Sequence, residues 1–170
     1  MSAVPSKELV EKLLKITCET GREVVYVRYI DGTSDFHILT PEGGCFPVRK
    51  PVVELWHTHP IPRYTPSEPD LVTLWNLTVL SDYPVKMYVV SYDEARGKAI
   101  VLETKFTKLD TRLMKMLLKE VLGIEYEMFR RLLTEKPMCI TEISEKQLEL
   151  MKRFKPLIAI TKYELDVKLT

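Results

Sequence analysis

The stretch Val52-Val53-Glu54-Leu55-Trp56-His57-Thr58-His59-Pro60, followed by Ser67-Glu68-Pro69-Asp70-Leu71, decides how the chain is read. Val52 to Trp56 is apolar and β-prone, so the run is expected to be a strand that ends in His-x-His. Side chains two residues apart on a strand leave the same face roughly 6.5–7 Å apart. Two imidazoles at that spacing can converge on one metal ion, with bonds of about 2.0–2.1 Å to nitrogen. A carboxylate at Asp70 would add a third ligand and leave a fourth position open, the pattern of a catalytic rather than a structural zinc. Ser67-Glu68-Pro69-Asp70 also reads as a helix start: a serine N-cap, proline in the first turn and acidic residues at the positive end of the dipole. Prolines 60, 62, 66 and 69 fill the connector between the strand and this helix. The ligands are therefore expected where a strand end meets a helix beginning.

Those residues resemble the JAMM, or MPN-plus, metalloprotease signature. That signature has an upstream glutamate, then His-x-His-Pro, and Ser-x-x-Asp after a gap of the length that separates His59 from Ser67; Pro66 before Ser67 matches as well. The resemblance implies one zinc ion per chain held by His57, His59 and Asp70, with water as the fourth ligand. It implies that Ser67 steadies the oxyanion of a tetrahedral intermediate. It further implies a cytidine-deaminase-like core and cleavage of an isopeptide or peptide bond at the C-terminus of a ubiquitin-like protein. Trimming of a sulfur-carrier adduct would use the same chemistry, and relatives that lack the ligands serve as scaffold subunits. A zinc deaminase is disfavoured, because the Pro-Cys-x-x-Cys part of that signature is missing.

The upstream glutamate has three candidates. Glu54 is nearest, but strand alternation puts 53, 55, 57 and 59 on one face and Glu54 on the other, where it is expected to meet solvent. Glu23 opens Glu23-Val24-Val25-Tyr26-Val27-Arg28-Tyr29, a clear strand pattern, as the family's glutamate does. Glu19 is the fallback. Of the remaining polar residues, His37 is expected to be structural, Trp56 a buried aromatic beside the site, and Arg63 and Tyr64 surface residues of the connector.

Outward from the motif, Ser6 to Thr20 has helical spacing, and Gly21 ends it. Residues 23–30 and 34–40 read as a hairpin around Asp31-Gly32, with 41–44 as the next loop. A helix is expected over 71–80, then strands over 85–91 and 98–106 joined by a hairpin at 93–97. The fold class is α/β (α+β): a central mixed β-sheet flanked by helices. The catalytic core is expected over 1–109. Residues 110–170 would add C-terminal helices on the same domain: an apolar stripe from Leu113 to Leu133 interrupted at Gly123, a helix from Ser144 to Phe154, and a β-like tail.

The chain has 170 residues, enough for one domain with its own core. With 45% hydrophobic and 29% charged residues it is globular rather than disordered. A net charge of +1 gives no electrostatic case for nucleic acid. No apolar run approaches the roughly 18–20 residues needed to cross a membrane, and no secretory core precedes the fold, so a cytoplasmic location is expected. The partners expected are ubiquitin-like proteins or their conjugates, with room for a homodimer. Cys18, Cys45 and Cys139 are widely spaced and odd in number, so reduced, mostly buried thiols are expected, with Cys45 in a turn. Asn76 and Gln147 are the sole side-chain amides, a thermophile tendency.

Overall fold

β-branched and aromatic residues crowd the runs ahead of and behind the histidines, and each of those runs pairs into one sheet. The computed structural model describes residues 5–40, 44–140 and 143–169. The first helix is α1 (Lys7–Thr20), followed by β1 (Val24–Tyr29), β2 (Ser34–Ile38), β3 (Gly44–Phe46) and β4 (Val52–Thr58). Next come α2 (Glu68–Ser81), β5 (Lys86–Asp93) and β6 (Lys98–Phe106). The last third supplies α3 (Thr111–Leu117), α4 (Tyr126–Glu135), β7 (Met138–Ile140), α5 (Glu145–Phe154) and β8 (Ile158–Asp166). Six strands form a mixed sheet in the order β2-β1-β4-β5-β6-β8, and β3 with β7 forms a separate two-stranded ladder. β4 and β5 run parallel and the other neighbours in the large sheet antiparallel, so the fold is α+β with a central mixed sheet flanked by helices.

The two faces of the sheet carry different helices because β4 alternates. Trp56 faces α1, where it packs with Val10, Leu13 and Leu14 and stacks on Tyr88 at 4.0 Å. Leu55 faces α2, in a core that includes Val25, Leu74, Trp75, Leu77, Val89 and Leu102. α2 is buried almost all round, as a helix with apolar residues on every side must be. Its outer side is closed by the C-terminal helices: Trp75 stacks on Phe154 of α5 at 5.1 Å.

The capping residues of the sequence act at both ends of α1 and at the start of α5. Ser6 caps α1 and Gly21 closes it at φ 67°. Ser144 and Gln147 form a capping box on α5. The stripe from residue 113 to 133 is two helices rather than one: α3 runs on into a π-helical turn over Leu118–Leu122, Gly123 closes it in the left-handed conformation, and α4 begins anew. Met114, Leu117 and Leu118 enter the core, while Met116, Met128 and Leu132 are exposed. β8 pairs with β6 along its whole length, so the chain's last strand forms one edge of the main sheet.

The cysteine expectation is overturned. Cys45 lies on β3, not in a turn, and is disulfide-bonded to Cys139 on β7 across a sequence separation of 94; both are exposed. Free Cys18 is also exposed. The loop expected at 41–44 falls outside the described residues except for Gly44, which begins β3. Among the described residues no helix is long and apolar enough to cross a membrane.

Candidate metal centre

β1, β4 and α2 bring their ends together at one place. Antiparallel pairing sets Val25 opposite His57, so Glu23, two residues before Val25, falls opposite His59 and on the same face. The parallel crossover from β4 through α2 to β5 places the N-terminus of α2 at the carboxyl ends of those strands, where open α/β sheets form their clefts. His59 lies just beyond β4 and is fixed by its backbone N–H to Val90 O at 2.8 Å.

Four side chains close into a ring. Asp70 Oδ1 faces His57 Nδ1 at 3.1 Å, and Asp70 Oδ2 faces His59 Nε2 at 3.1 Å. Glu23 Oε2 faces His57 Nε2 at 3.1 Å, and Glu23 Oε1 lies 3.6 Å from His59 Nδ1. His57, His59 and Asp70 are buried, whereas Glu23 is about one-third exposed. The ring thus has a buried floor and one partly exposed carboxylate.

Electrostatics explain how this cluster stays inside the protein. Burial disfavours a charged His57, yet its hydrogen bonds to Asp70 and Glu23, with their negative charge, hold its pKa up to about 9. Burial likewise opposes ionisation of Asp70, but His57 and His59 keep its carboxyl well below the usual range. Glu23 follows the same pattern: burial raises its pKa, and the bond to His57 and the charge of both histidines lower it overall. In the metal-free ring the protonated His57 supplies the positive charge between the two carboxylates.

A divalent cation held by neutral imidazoles would supply the same charge, and the three buried side chains are placed to hold one. One ligand atom from each of His57, His59 and Asp70 lies within 4.8 Å of the others, and all three residues are buried. His59 Nδ1 is buried without a hydrogen bond. Two imidazoles and one carboxylate form a donor set suited to zinc and its neighbours among the transition metals.

Ser67 caps α2 with a full capping box: its Oγ accepts Asp70 N–H at 3.2 Å, and Asp70 Oδ2 accepts Ser67 N–H at 3.0 Å. The cap uses an acceptor site of the hydroxyl and leaves its hydrogen to donate.

The other candidates lie elsewhere. Glu19 is exposed on the last turn of α1. Glu54 does lie on the opposite face, but it is not simply solvent-facing: it is 16% exposed, pairs with Arg28 Nε at 3.1 Å and accepts Trp56 Nε1–H at 3.2 Å. His37 stacks on Phe46 with ring centroids 6.0 Å apart. Tyr64 is exposed under Lys162 Nζ at 4.8 Å, and Arg63 is half-buried with its backbone N–H on Ser91 Oγ. Sequence reasoning missed Thr58, the residue between the two histidines. Its buried hydroxyl bonds Thr17 and accepts Val24 N–H, tying β4 to α1 and to the residue after Glu23. A threonine within His-x-His carries no pattern that announces this.

Compared with known proteins, the chain matches no family model, no curated protein and no solved structure.

Proposed function

We propose that the protein is a zinc-dependent hydrolase that cuts isopeptide or peptide bonds at the C-terminus of ubiquitin-like proteins. The observation that carries this reading is the ring of Glu23, His57, Asp70 and His59, three members buried and one half-open. The signature resemblance at Glu23, His57, His59, Ser67 and Asp70 supplies the substrate class.

In this reading His57, His59 and Asp70 hold the metal. Zinc, when bound, lowers the pKa of coordinated water to about 7 and polarises a carbonyl. Glu23, kept ionised and partly exposed, accepts a proton from the attacking water and passes it to the leaving amine. The Ser67 hydroxyl hydrogen donates to the oxygen on which negative charge develops. The capping box fixes that hydroxyl before substrate arrives.

The test is zinc-loaded protein offered linear, isopeptide-linked and carrier-adduct substrates of ubiquitin-like proteins. Cleavage that disappears in Glu23→Gln is the expected result. Failure to cleave any of them, with zinc bound, overturns the reading.

A further inference from the structure

The outer edge of β8 is the longest free strand edge in the described fold. Its nine residues pair with β6 on one side, and β8 ends the sheet order on the other. Alternate residues there present backbone N–H and C=O groups outward, a template for another strand. The opposite edge strand, β2, has five residues and ends beside Glu23. Along β8, Ile160 is 47% exposed, and Thr161, Lys162 and Glu164 are exposed too.

Charged residues usually protect such an edge, but the signs matter. A run of lysines would repel a second copy; β8 instead carries Lys162, Glu164 and Asp166 on one face, with Lys162 Nζ and Glu164 Oε1 3.2 Å apart and Asp166 paired to Lys98 of β6. The Lys162–Glu164 doublet is complementary to itself under two-fold rotation. We propose that β8 joins β8 of a second copy of this chain, antiparallel about a two-fold axis at Tyr163, merging the two sheets into one.

Charge selects this register. A two-fold axis perpendicular to the sheet pairs residues of the same parity, because directly opposed side chains share a face. Centred on Lys162, the edge sets ammonium against ammonium; centred on Glu164, it sets carboxylate against carboxylate. Centred on Thr161, Lys162 meets Ile160 and Glu164 meets Ile158. Centred on Tyr163, Lys162 of each copy meets Glu164 of the other, and Thr161 meets Leu165. Asp166, the third charge on this face, meets Ile160 in that register; centred on Glu164 it would meet Lys162, but at the cost of the opposed Glu164 pair. Only the Tyr163 register pairs Lys162 with Glu164 twice and opposes no like charges.

The test is light scattering and sedimentation of the full chain over a wide concentration range. A monomer–dimer equilibrium is expected for the wild type. Lys162→Glu and Glu164→Lys should each weaken it by about tenfold or more, since each sets like charges directly opposite on both sides of the axis. The double exchange should restore dimerisation, although it leaves Arg96, which pairs with Glu164 within the chain, facing a lysine. Circular dichroism confirms that each variant is folded. Tyr163→Cys in a Cys18→Ser background should form a disulfide-linked dimer on mild oxidation, and Thr161→Cys should not. A wild type that is monomeric throughout overturns the proposal. So does a dimer that ignores both reversals and does not cross-link at 163.

Discussion

Ser67 and Asp70 hold each other at the start of α2: the hydroxyl of one accepts the backbone N–H of the other, and the carboxylate returns the bond. The same Asp70 oxygen that accepts Ser67 N–H also faces His59 Nε2 at 3.1 Å. Helix capping and the candidate metal site therefore share one carboxylate, and substitutions here should report on both.

Asp70→Ala should lose zinc and also destabilise the metal-free chain by about 3–5 kcal/mol, because it removes the capping-box acceptor and leaves buried His57 and His59 without their carboxylate. His57→Ala should lose zinc with the cap intact. Elemental analysis of purified protein, expected to find one zinc per wild-type chain, separates the two, and thermal melts with and without chelator give the stability terms.

Glu23→Gln should keep zinc and lose turnover by about 10²–10⁴-fold, the usual span for a positioned acid–base group. Loss of zinc in this variant would make Glu23 a ligand rather than a base.

Ser67→Ala should lower stability by about 1 kcal/mol, as an N-cap loss does, and lower kcat by about 10²-fold or more, as loss of an oxyanion donor does. Denaturant melts and steady-state kinetics read the two effects independently. A drop in stability with unchanged kcat would leave Ser67 as a cap alone.

The Cys45–Cys139 bond closes a long loop, so Cys45→Ser should cost about 4.7 kcal/mol by chain entropy. Because both cysteines are exposed, dithiothreitol should lower the wild-type melting temperature and leave the variant unmoved.

Asp82 ends α2 at φ 57° and accepts hydrogen bonds from Thr111 and Tyr126. Partial burial raises its pKa, but the bonds from Tyr126 and Thr111 and the charges of Arg130 and Lys115 lower it overall. A folded value below the unfolded one means that the contribution is present above about pH 4 and fades as pH falls through the lowered value. Asp82→Asn tolerates the left-handed backbone and should flatten that acid limb. Asp82 is exposed, so screening keeps the change to about 1 kcal/mol in urea melts from pH 7 to 2.

Much of the site was legible because its signals are local. His-x-His on a strand, Ser-x-x-Asp at a helix start, the alternation that sets Glu54 apart from His57 and the strand that Glu23 opens are all short-range patterns; the β1–β4 pairing that brings Glu23 to the histidines is not. Glu54 shows the limit of alternation. The period names the face but not its cover, and here Arg28 and Trp56 occupy what would otherwise be solvent. β3 and β7 were missed because each has three residues and owes its strand form to a partner far along the chain. The disulfide is hidden for the same reason, since two cysteines 94 residues apart carry no spacing signal.

That covalent link has a topological meaning. It turns the chain from Cys45 to Cys139 into a closed ring, with His57, His59, Ser67 and Asp70 inside it and Glu23 on the free N-terminal arm. A single backbone cut anywhere within the ring leaves one molecule of unchanged mass apart from an added water. A cut between Glu23 and Cys45 releases the arm that carries Glu23. Limited proteolysis run on reducing and non-reducing gels would thus sort nicks by which side of the ring they fall on.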